Sequence, residues 1–231
     1  MKRLFFLLLI SPLIFSACSG STGQKGSNSN INVPVFIQLP EPIVKGEMSL
    51  EEALLHRRSV REYSDAPLSL ENVSQLLWAA QGVTNNTGGR TAPSAGGLYP
   101  LEVYLVAERV EGLNQGIYRY IPDTHRLETV KGGKFNEELC KRSLNQSWVK
   151  DGAINIVISG VYERTTKKYG ERGVRYVHLE AGHAAQNICL QATALHLGAV
   201  TVGAFDDEGV RDLLEMGKGE TPLYVIPIGR R

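Results

Sequence analysis

The stretch that most restricts the fold lies near the C-terminal end, at residues 176–197, "YVHLEAGHAAQNICLQATALHL". At helical spacing, one face of it carries the apolar side chains of Ala181, Ala184, Ala185, Ile188, Cys189, Ala192 and Leu195. Much of the remaining surface is covered by Leu179, Leu190, Ala194 and Leu197. A helix that is apolar nearly all round has to be buried. We therefore predict a long buried helix that forms either the spine of the core or a subunit interface.

The rest of the chain mixes helix and strand patterns. Ser49 and Glu52 form a capping box that begins one helix. Further helices are predicted at 70–81, 136–144 and 207–215, and strands at 101–107, 153–162, 199–205 and 222–229. Two short strands around the turn at 122–125 form an antiparallel hairpin. This mixture favours an α+β fold with a central mixed or antiparallel sheet flanked by helices.

The N-terminal residues have the pattern of an export signal. A positive start at Lys2 and Arg3 precedes an apolar run and the small residues before Cys18. "FSAC" resembles a bacterial lipobox, in which the cysteine is lipidated; ordinary cleavage that leaves a free Cys18 is the alternative. We predict a signal peptide with lipobox at 1–17, a flexible tether at 18–32 and a folded domain at 33–231. The protein would then be lipid-anchored in the bacterial cell envelope, facing the periplasm or the exterior.

Composition excludes several other classes of protein. The chain has 25 basic and 24 acidic residues and a net charge of +1, so nothing indicates a nucleic-acid surface. Its 3 cysteines cannot form a disulfide scaffold. His178 and His183 stand five residues apart, so on a helix they point about 140° away from each other and predict no metal site.

Two short motifs indicate a ligand. "TAPSAGGLYPLE", residues 91–102, places small residues in a row, which lets a flat or phosphorylated ligand touch the main chain. "HRRSVREY", residues 56–63, packs Arg57, Arg58 and Arg61 around Ser59, and guanidinium groups suit phosphate oxygens. Taken alone, the arginines fit a solvated basic helix end equally well.

In combination the motifs are specific. "RRSVR", then "PSAGGLYP", then a buried helix that leads into "LGAVTVGAFD" resembles the nitroreductase family of flavoenzymes. "PSAGGLYPLE" and "KKYGERGVRYVHLEAGHAAQNICLQA" are similar to its SagB-type dehydrogenase branch, which includes oxidases that turn peptide azolines into azoles. The resemblance covers residues 49–229, and it implies the nitroreductase-like fold, FMN as cofactor and a homodimer with the long helix at its interface.

The resemblance also implies roles for individual residues. Arg57 and Ser59 would hold the FMN phosphate, with Arg58 in the same cluster, and Arg61 would reach the N1/O2 edge of the flavin. The segment with Pro93, Ser94, Ala95 and Gly97 would lie along the ring of the FMN bound mainly by the other subunit. Backbone amides at Gly203 and Ala204 would donate to flavin N5, and we assign Arg230 to the phosphate.

The adjacent pair Lys168 and Tyr169 matches the catalytic pair of the azole-forming oxidases. A lysine whose pKa is lowered by desolvation can act as a base, with the tyrosine as proton partner. The alternative is a charged surface helix over "RTTKKYGER", residues 164–172.

We therefore expect an FMN-dependent oxidoreductase with ping-pong kinetics, acting on a small-molecule or peptide substrate. Its electron donor would be NAD(P)H, a quinone or a thiol. One alternative is a membrane-tethered flavin-binding module without turnover. Another is an exported anion-binding domain without flavin, which leaves "PSAGGLYP" unexplained.

Overall fold

The computed structural model describes residues 35–231. The signal peptide, the lipobox with Cys18 and the tether lie outside the described residues, so these assignments stay predictions. In the described part of the chain, no helix has the combination of length and apolar character needed to span a membrane.

A single seven-stranded sheet organises the described residues. Its strands are β1 (Phe36–Gln38), β2 (Leu101–Ala107), β3 (Gly116–Ile121), β4 (Arg126–Gly132), β5 (Ile154–Val161), β6 (Leu197–Ala199) and β7 (Glu220–Arg230). Their spatial order is β1-β4-β3-β2-β5-β7-β6, and every neighbouring pair is antiparallel. The predicted buried strand is β5, which pairs with β2 on one side and β7 on the other.

Helices cover both faces of the sheet, as α+β architecture requires. They are α1 (Leu50–His56), α2 (Leu70–Gln81), α3 (Asn136–Arg142), α4 (Ser147–Asp151), α5 (Tyr162–Tyr169), α6 (Arg172–Ala194) and α7 (Asp207–Leu213). Because strand side chains alternate, β5 sends Ile156 and Ile158 toward α2 and α6, and Val157 toward α3, α4 and α7. The predicted fold class is confirmed, and so is the capping box of Ser49 and Glu52.

Several predicted boundaries are confirmed and some are wrong. The helix at 70–81 and the strand at 101–107 have the predicted ends. The strand predicted at 199–205 is largely wrong, because β6 ends at Ala199. Beyond it, Val200 donates to the Pro227 carbonyl of β7 at 3.4 Å, and Val202 forms an isolated bridge with Val225 through two hydrogen bonds. Gly203 and Ala204 therefore belong to a loop. The short helix α4 was not predicted.

The long helix α6 begins at Arg172 and ends at Ala194, earlier at both ends than predicted. Its predicted apolar face is buried among α2, the sheet and α1, except at Leu195, which follows the helix and is half-buried. The other face is not covered by this chain, since the Leu179 side chain is 55% exposed and Val174 39%. Cys140 and Cys189 are buried free cysteines.

Candidate functional site

The glycine-rich segment forms a tight turn that Ser94 closes. We call residues 93–99 the glycine turn. A single 3-10 turn runs from Ala95 to Gly97, and its N–H at Gly97 donates to the Ser94 carbonyl at 3.1 Å. The Ser94 Oγ accepts the N–H of Tyr99 at 2.9 Å. Gly96 and Gly97 have φ of +66° and +64°, where a side chain is strained.

Helix α5 packs its C-terminal end directly on this turn. A Cβ atom added at Gly96 would lie 2.7 Å from the Tyr169 hydroxyl and 2.9 Å from Lys168 Nζ. One helical turn earlier, Arg164 donates to the Tyr99 carbonyl at 3.1 Å and forms an ion pair with Glu102. The structure thus brings the predicted catalytic pair against the segment predicted to face the flavin.

Lys168 is the exposed amine of this arrangement. Its side chain is exposed, and among residues 35–231 it has no carboxylate within ion-pair distance, whereas the neighbouring Lys167 is paired with Glu163 at 3.1 Å. The ring of Tyr169 is fixed edge-on against Tyr176 of α6, with 5.2 Å between ring centroids. The amine therefore lies exposed beside a tyrosine whose ring is held by Tyr176.

A buried carboxylate that sequence reasoning missed lies behind the turn. Glu180 of α6 is 2% exposed, and burial raises its pKa to about 7, although the Ser94 hydroxyl and the Arg90 charge lower it. Arg90 itself lies over the Tyr99 ring, 4.4 Å from the centroid, and donates to Gln81 at 3.0 Å. The sequence signal was a single acidic residue inside the apolar stretch of the long helix.

The basic motif lies on the β6 edge of the sheet. The N–H of Val60 donates to the Ala199 carbonyl at 3.0 Å, and Ser59 forms a parallel bridge with Ala199. Arg61 extends over the Trp148 ring at 5.4 Å, and Arg58 donates to the carbonyls of its own helix end. Within residues 35–231, none of the three arginines of the motif forms an ion pair.

The other predicted cofactor contacts share this edge. The Ala204 carbonyl accepts from Gln146, the residue before α4, and a Cβ at Gly203 would meet nothing within 4 Å. Arg230 ends β7 beside Leu197 of β6, and its Nε donates to the Pro67 carbonyl at 2.9 Å. The residues that we call the arginine edge are Arg57, Arg58, Ser59, Arg61, Gly203, Ala204 and Arg230.

The glycine turn and the arginine edge are separate in one chain. Among residues 35–231, no hydrogen bond or ion pair joins the two sets. Helix α6 serves both: Glu180 lies beside Ser94, whereas the charge of Arg57 acts on Cys189. At about 1.5 Å per residue, these two positions on α6 are roughly 13 Å apart along its axis. A single chain therefore presents two half-sites.

The chain belongs to the nitroreductase family, whose model matches residues 54–230. It is 46% identical over 195 residues to the nitroreductase-named protein MJ1384 of Methanocaldococcus jannaschii, covering 84% of this chain and 96% of that protein. It is 32% identical over 167 residues to the Microcin B17-processing protein McbC of Escherichia coli. That match covers 68% of this chain and 61% of McbC, so the chain spans less than two thirds of McbC.

Solved structures of the family have the same fold. A nitroreductase-named protein from Ralstonia eutropha superposes with a TM-score of 0.74 at 32% identity, over 84% of this chain and 89% of that one. The protein is thus a nitroreductase-family oxidoreductase, related to flavin-dependent enzymes.

The residues present fit a flavin mononucleotide. Arginines without carboxylate partners leave guanidinium groups available for a phosphate. At Gly97 and Gly203 an added Cβ would meet nothing within 4 Å, so these backbones are open to a flat ring. The assignment of each contact to FMN stays a prediction.

Proposed function

We propose that the protein is an FMN-dependent oxidoreductase of the SagB-type branch that works by a ping-pong mechanism on a small-molecule or peptide substrate. The observation that supports it most is the packing of Lys168 and Tyr169 on Gly96. About seventy residues separate the pair from the turn in the sequence, so their contact comes from the tertiary fold and not from the motifs.

The arginine edge would bind the cofactor. Arg57, Ser59 and Arg230 would hold the phosphate through charge-assisted hydrogen bonds. The Arg61 guanidinium would stabilise negative charge at the N1/O2 edge of the ring. When bound, FMN supplies a hydride acceptor at its N5 atom.

The glycine turn and α5 would handle the substrate. As the substrate is oxidised, the neutral Lys168 Nζ beside it would accept the proton that the substrate loses. The Tyr169 hydroxyl would orient the substrate group that gives up this proton. The absence of a side chain at Gly97 would leave room for the substrate above the ring, since an added Cβ there would meet nothing within 4 Å. The positions of Lys168 and Tyr169 are set by α5, whose Arg164 is anchored to the turn.

We further propose a homodimer that completes each site. Helices α6 and α1 present an exposed apolar surface that a second copy would cover. It is formed by Val174 and Leu179 of α6 and by Leu50, Leu54 and Leu55 of α1. Because one chain presents two half-sites, the glycine turn of one subunit would meet the arginine edge of the other. Sedimentation of the purified protein as a monomer at micromolar concentration would argue against this arrangement.

The electron donor depends on where the protein works. The predicted lipid anchor at Cys18 would place it outside the cytoplasm, away from the NAD(P)H pool, which favours a quinone or a thiol. Anaerobic reduction of the bound flavin by NADH, NADPH, a soluble quinol or dithiothreitol, followed at the flavin absorption band, would rank these donors.

The first test is a visible absorption spectrum of the purified chain before and after anaerobic dithionite. We expect a flavin spectrum that bleaches on reduction and returns with an oxidant. A colourless protein that also fails to take up added FMN would refute the proposal. A flavin that binds but is reduced by no donor other than dithionite would instead indicate a binding module without turnover.

A further inference from the structure

The side chain of Arg164 joins three elements of the candidate site. It extends from the first turn of α5, and one of its terminal nitrogens donates to the Tyr99 carbonyl of the glycine turn at 3.1 Å. The other terminal nitrogen donates to the carboxylate of Glu102, the second residue of β2. A guanidinium group presents its donors in a rigid planar fork, so it can hold two acceptors in a fixed geometry. Arg164 therefore sets the distance between α5 and the chain that enters β2.

Glu102 holds this guanidinium from a rigid part of the fold. It lies on β2 directly opposite Ser159 of β5, and its side chain is only 15% exposed. The other ion pair of α5, between Lys167 and Glu163, has both side chains 73% exposed. Exposed pairs are screened by salt and contribute little, whereas a partly buried pair is screened much less. Of these two ion pairs, the one with Glu102 is therefore the one that can fix the position of α5.

The position of α5 decides where the proposed catalytic pair lies. Lys168 follows Arg164 by four residues, so both side chains leave the same side of the helix. Arg164 contacts the turn at Tyr99, and Lys168 and Tyr169 lie against it at Gly96. A helix of eight residues is marginal by itself and depends on contacts with the rest of the fold. Loss of the Arg164 contact would therefore let the catalytic end of α5 shift on the turn.

We infer that Arg164 is a positioning residue of the candidate site and that Glu102 is its anchor. Together they hold α5 at the distance from the glycine turn at which Lys168 and Tyr169 lie against Gly96. Arg164 acts through the backbone of the turn and the placement of α5, without contact to cofactor or substrate. The effect on turnover rests on the proposed function, whereas the effect on the turn does not.

The structural test is amide hydrogen exchange of Gly97 and Tyr99 in the full-length chain, resolved to single residues, because both N–H groups donate within the turn. Arg164→Met keeps an unbranched side chain without the fork, and exchange should rise about tenfold or more. Glu102→Gln keeps the reach and one acceptor oxygen, so it should retain most of the protection. Glu102→Asp keeps the charge but is too short to reach, so it should lose the protection. Glu163→Gln breaks the exposed ion pair of the same helix and is the matched control, which should change nothing.

The functional test is the maximal rate of anaerobic flavin reduction. The donor is whichever of NADH, NADPH, a soluble quinol or dithiothreitol reduces the wild-type chain fastest. Arg164→Met should lower this rate about 10- to 100-fold by displacing the catalytic pair. FMN affinity and the donor concentration at half-maximal rate should stay close to wild type. In a Lys168→Ala background the same substitution should have a much smaller effect, because Arg164 acts through the helix that carries Lys168.

These measurements separate the inference from the proposed function. Unchanged exchange at Gly97 and Tyr99 in Arg164→Met would overturn the inference, and so would full protection in Glu102→Asp, since charge without reach would then suffice. If Arg164→Met does not fold, Glu102→Asp tests the same contact. Equal losses of rate with and without Lys168 would refute the positioning role. A wild-type chain that binds no FMN, or whose flavin no donor reduces, would refute the proposed function, and the exchange result would still decide whether Arg164 holds the turn.

Discussion

The glycine turn and the arginine edge are built in opposite ways. The turn is held by Ser94 within it and by Arg164 of α5, and the Lys168 and Tyr169 side chains lie against its Gly96. The arginine edge is exposed, and its guanidinium groups meet backbone carbonyls or a tryptophan ring, with no carboxylate partner among residues 35–231.

This difference suggests different roles for the two regions: the glycine turn would position the substrate, and the arginine edge would bind an anionic ligand. The geometry of the turn is fixed by hydrogen bonds from the protein itself, which is what a substrate-positioning surface requires. The edge presents guanidinium groups without carboxylate partners among residues 35–231, which suits the binding of an anion. Substitutions in the turn should therefore affect turnover, and substitutions at the edge should affect affinity.

Lys168→Ala should give the largest effect and test the catalytic half of this comparison. Removal of a general base typically slows turnover by about 10²- to 10⁴-fold, while FMN affinity should remain close to wild type because the arginine edge is untouched. Steady-state rates and an FMN titration measure the two quantities. Lys167→Ala removes the neighbouring, Glu163-paired lysine and is the matched control. Equal rates in Lys168→Ala and wild type would assign Lys168 to the surface.

Gly96→Ala should test whether the packing of α5 on the turn matters. The new Cβ would lie 2.7 Å from the Tyr169 hydroxyl and 2.9 Å from Lys168 Nζ, so the catalytic pair must move. A displacement of about 1 Å in a catalytic group can reduce turnover by roughly 100-fold. Gly97→Ala has the same left-handed backbone strain, about 1–2 kcal/mol, but meets no neighbour within 4 Å.

A smaller loss of turnover is therefore expected for Gly97→Ala than for Gly96→Ala. The difference between the two variants isolates the contact with α5 from the strain of the backbone. If both lose turnover equally, the contact has no catalytic importance and the comparison of the two regions is weakened.

Sequence patterns predicted the parts of this molecule that depend on local signals. The capping box, the ends of α2 and the strand β2 follow from side chains close in the sequence. The approach of Lys168 to Gly96 and the burial of Glu180 depend on how α5 and α6 pack on a distant turn. Periodicity carries no information on that packing. The burial of Glu180 could therefore not be predicted from its position as a single acidic residue in an apolar helix. The strand predicted at 199–205 is largely wrong because, after Ala199, the chain keeps only isolated hydrogen bonds to β7, at Val200 and Val202.

Glu180→Gln should change how the free energy of unfolding depends on pH, which tests whether the carboxyl behind the glycine turn is buried. Burial raises the pKa of this carboxyl from 4.5 to about 7, so between these pH values the folded chain keeps a proton that the unfolded chain has released. The contribution of Glu180 to wild-type stability therefore falls as the pH rises from about 4.5 to above 7. Glu180→Gln has no such group, so at pH 8 it should be more stable than wild type by up to about 3 kcal/mol.

The free energies of unfolding in urea at pH 5 and pH 8, at one protein concentration, measure this difference. It should be small at pH 5 and largest at pH 8. Glu171→Gln makes the same change at an exposed position, where a carboxylate is hydrated and no burial penalty is relieved. A pH-independent difference for Glu180→Gln would show that the carboxyl is not buried in solution.

Arg57→Ala should test the arginine edge and have the smallest effect of the four, confined to affinity. Loss of a charge-assisted hydrogen bond to the phosphate weakens binding by about 1.5–3 kcal/mol, or roughly 10- to 150-fold in Kd. Arg58→Ala should lose less, since the Arg58 guanidinium is already engaged by two backbone carbonyls. Arg211→Ala, at an exposed arginine of α7 beside Asp212, controls for net charge.

With FMN saturating, turnover of Arg57→Ala should recover, because the glycine turn and α5 are intact. Turnover that stays low at saturating FMN would mean that the two regions do not divide binding from catalysis, since the edge would then also set the position of the ring against Lys168.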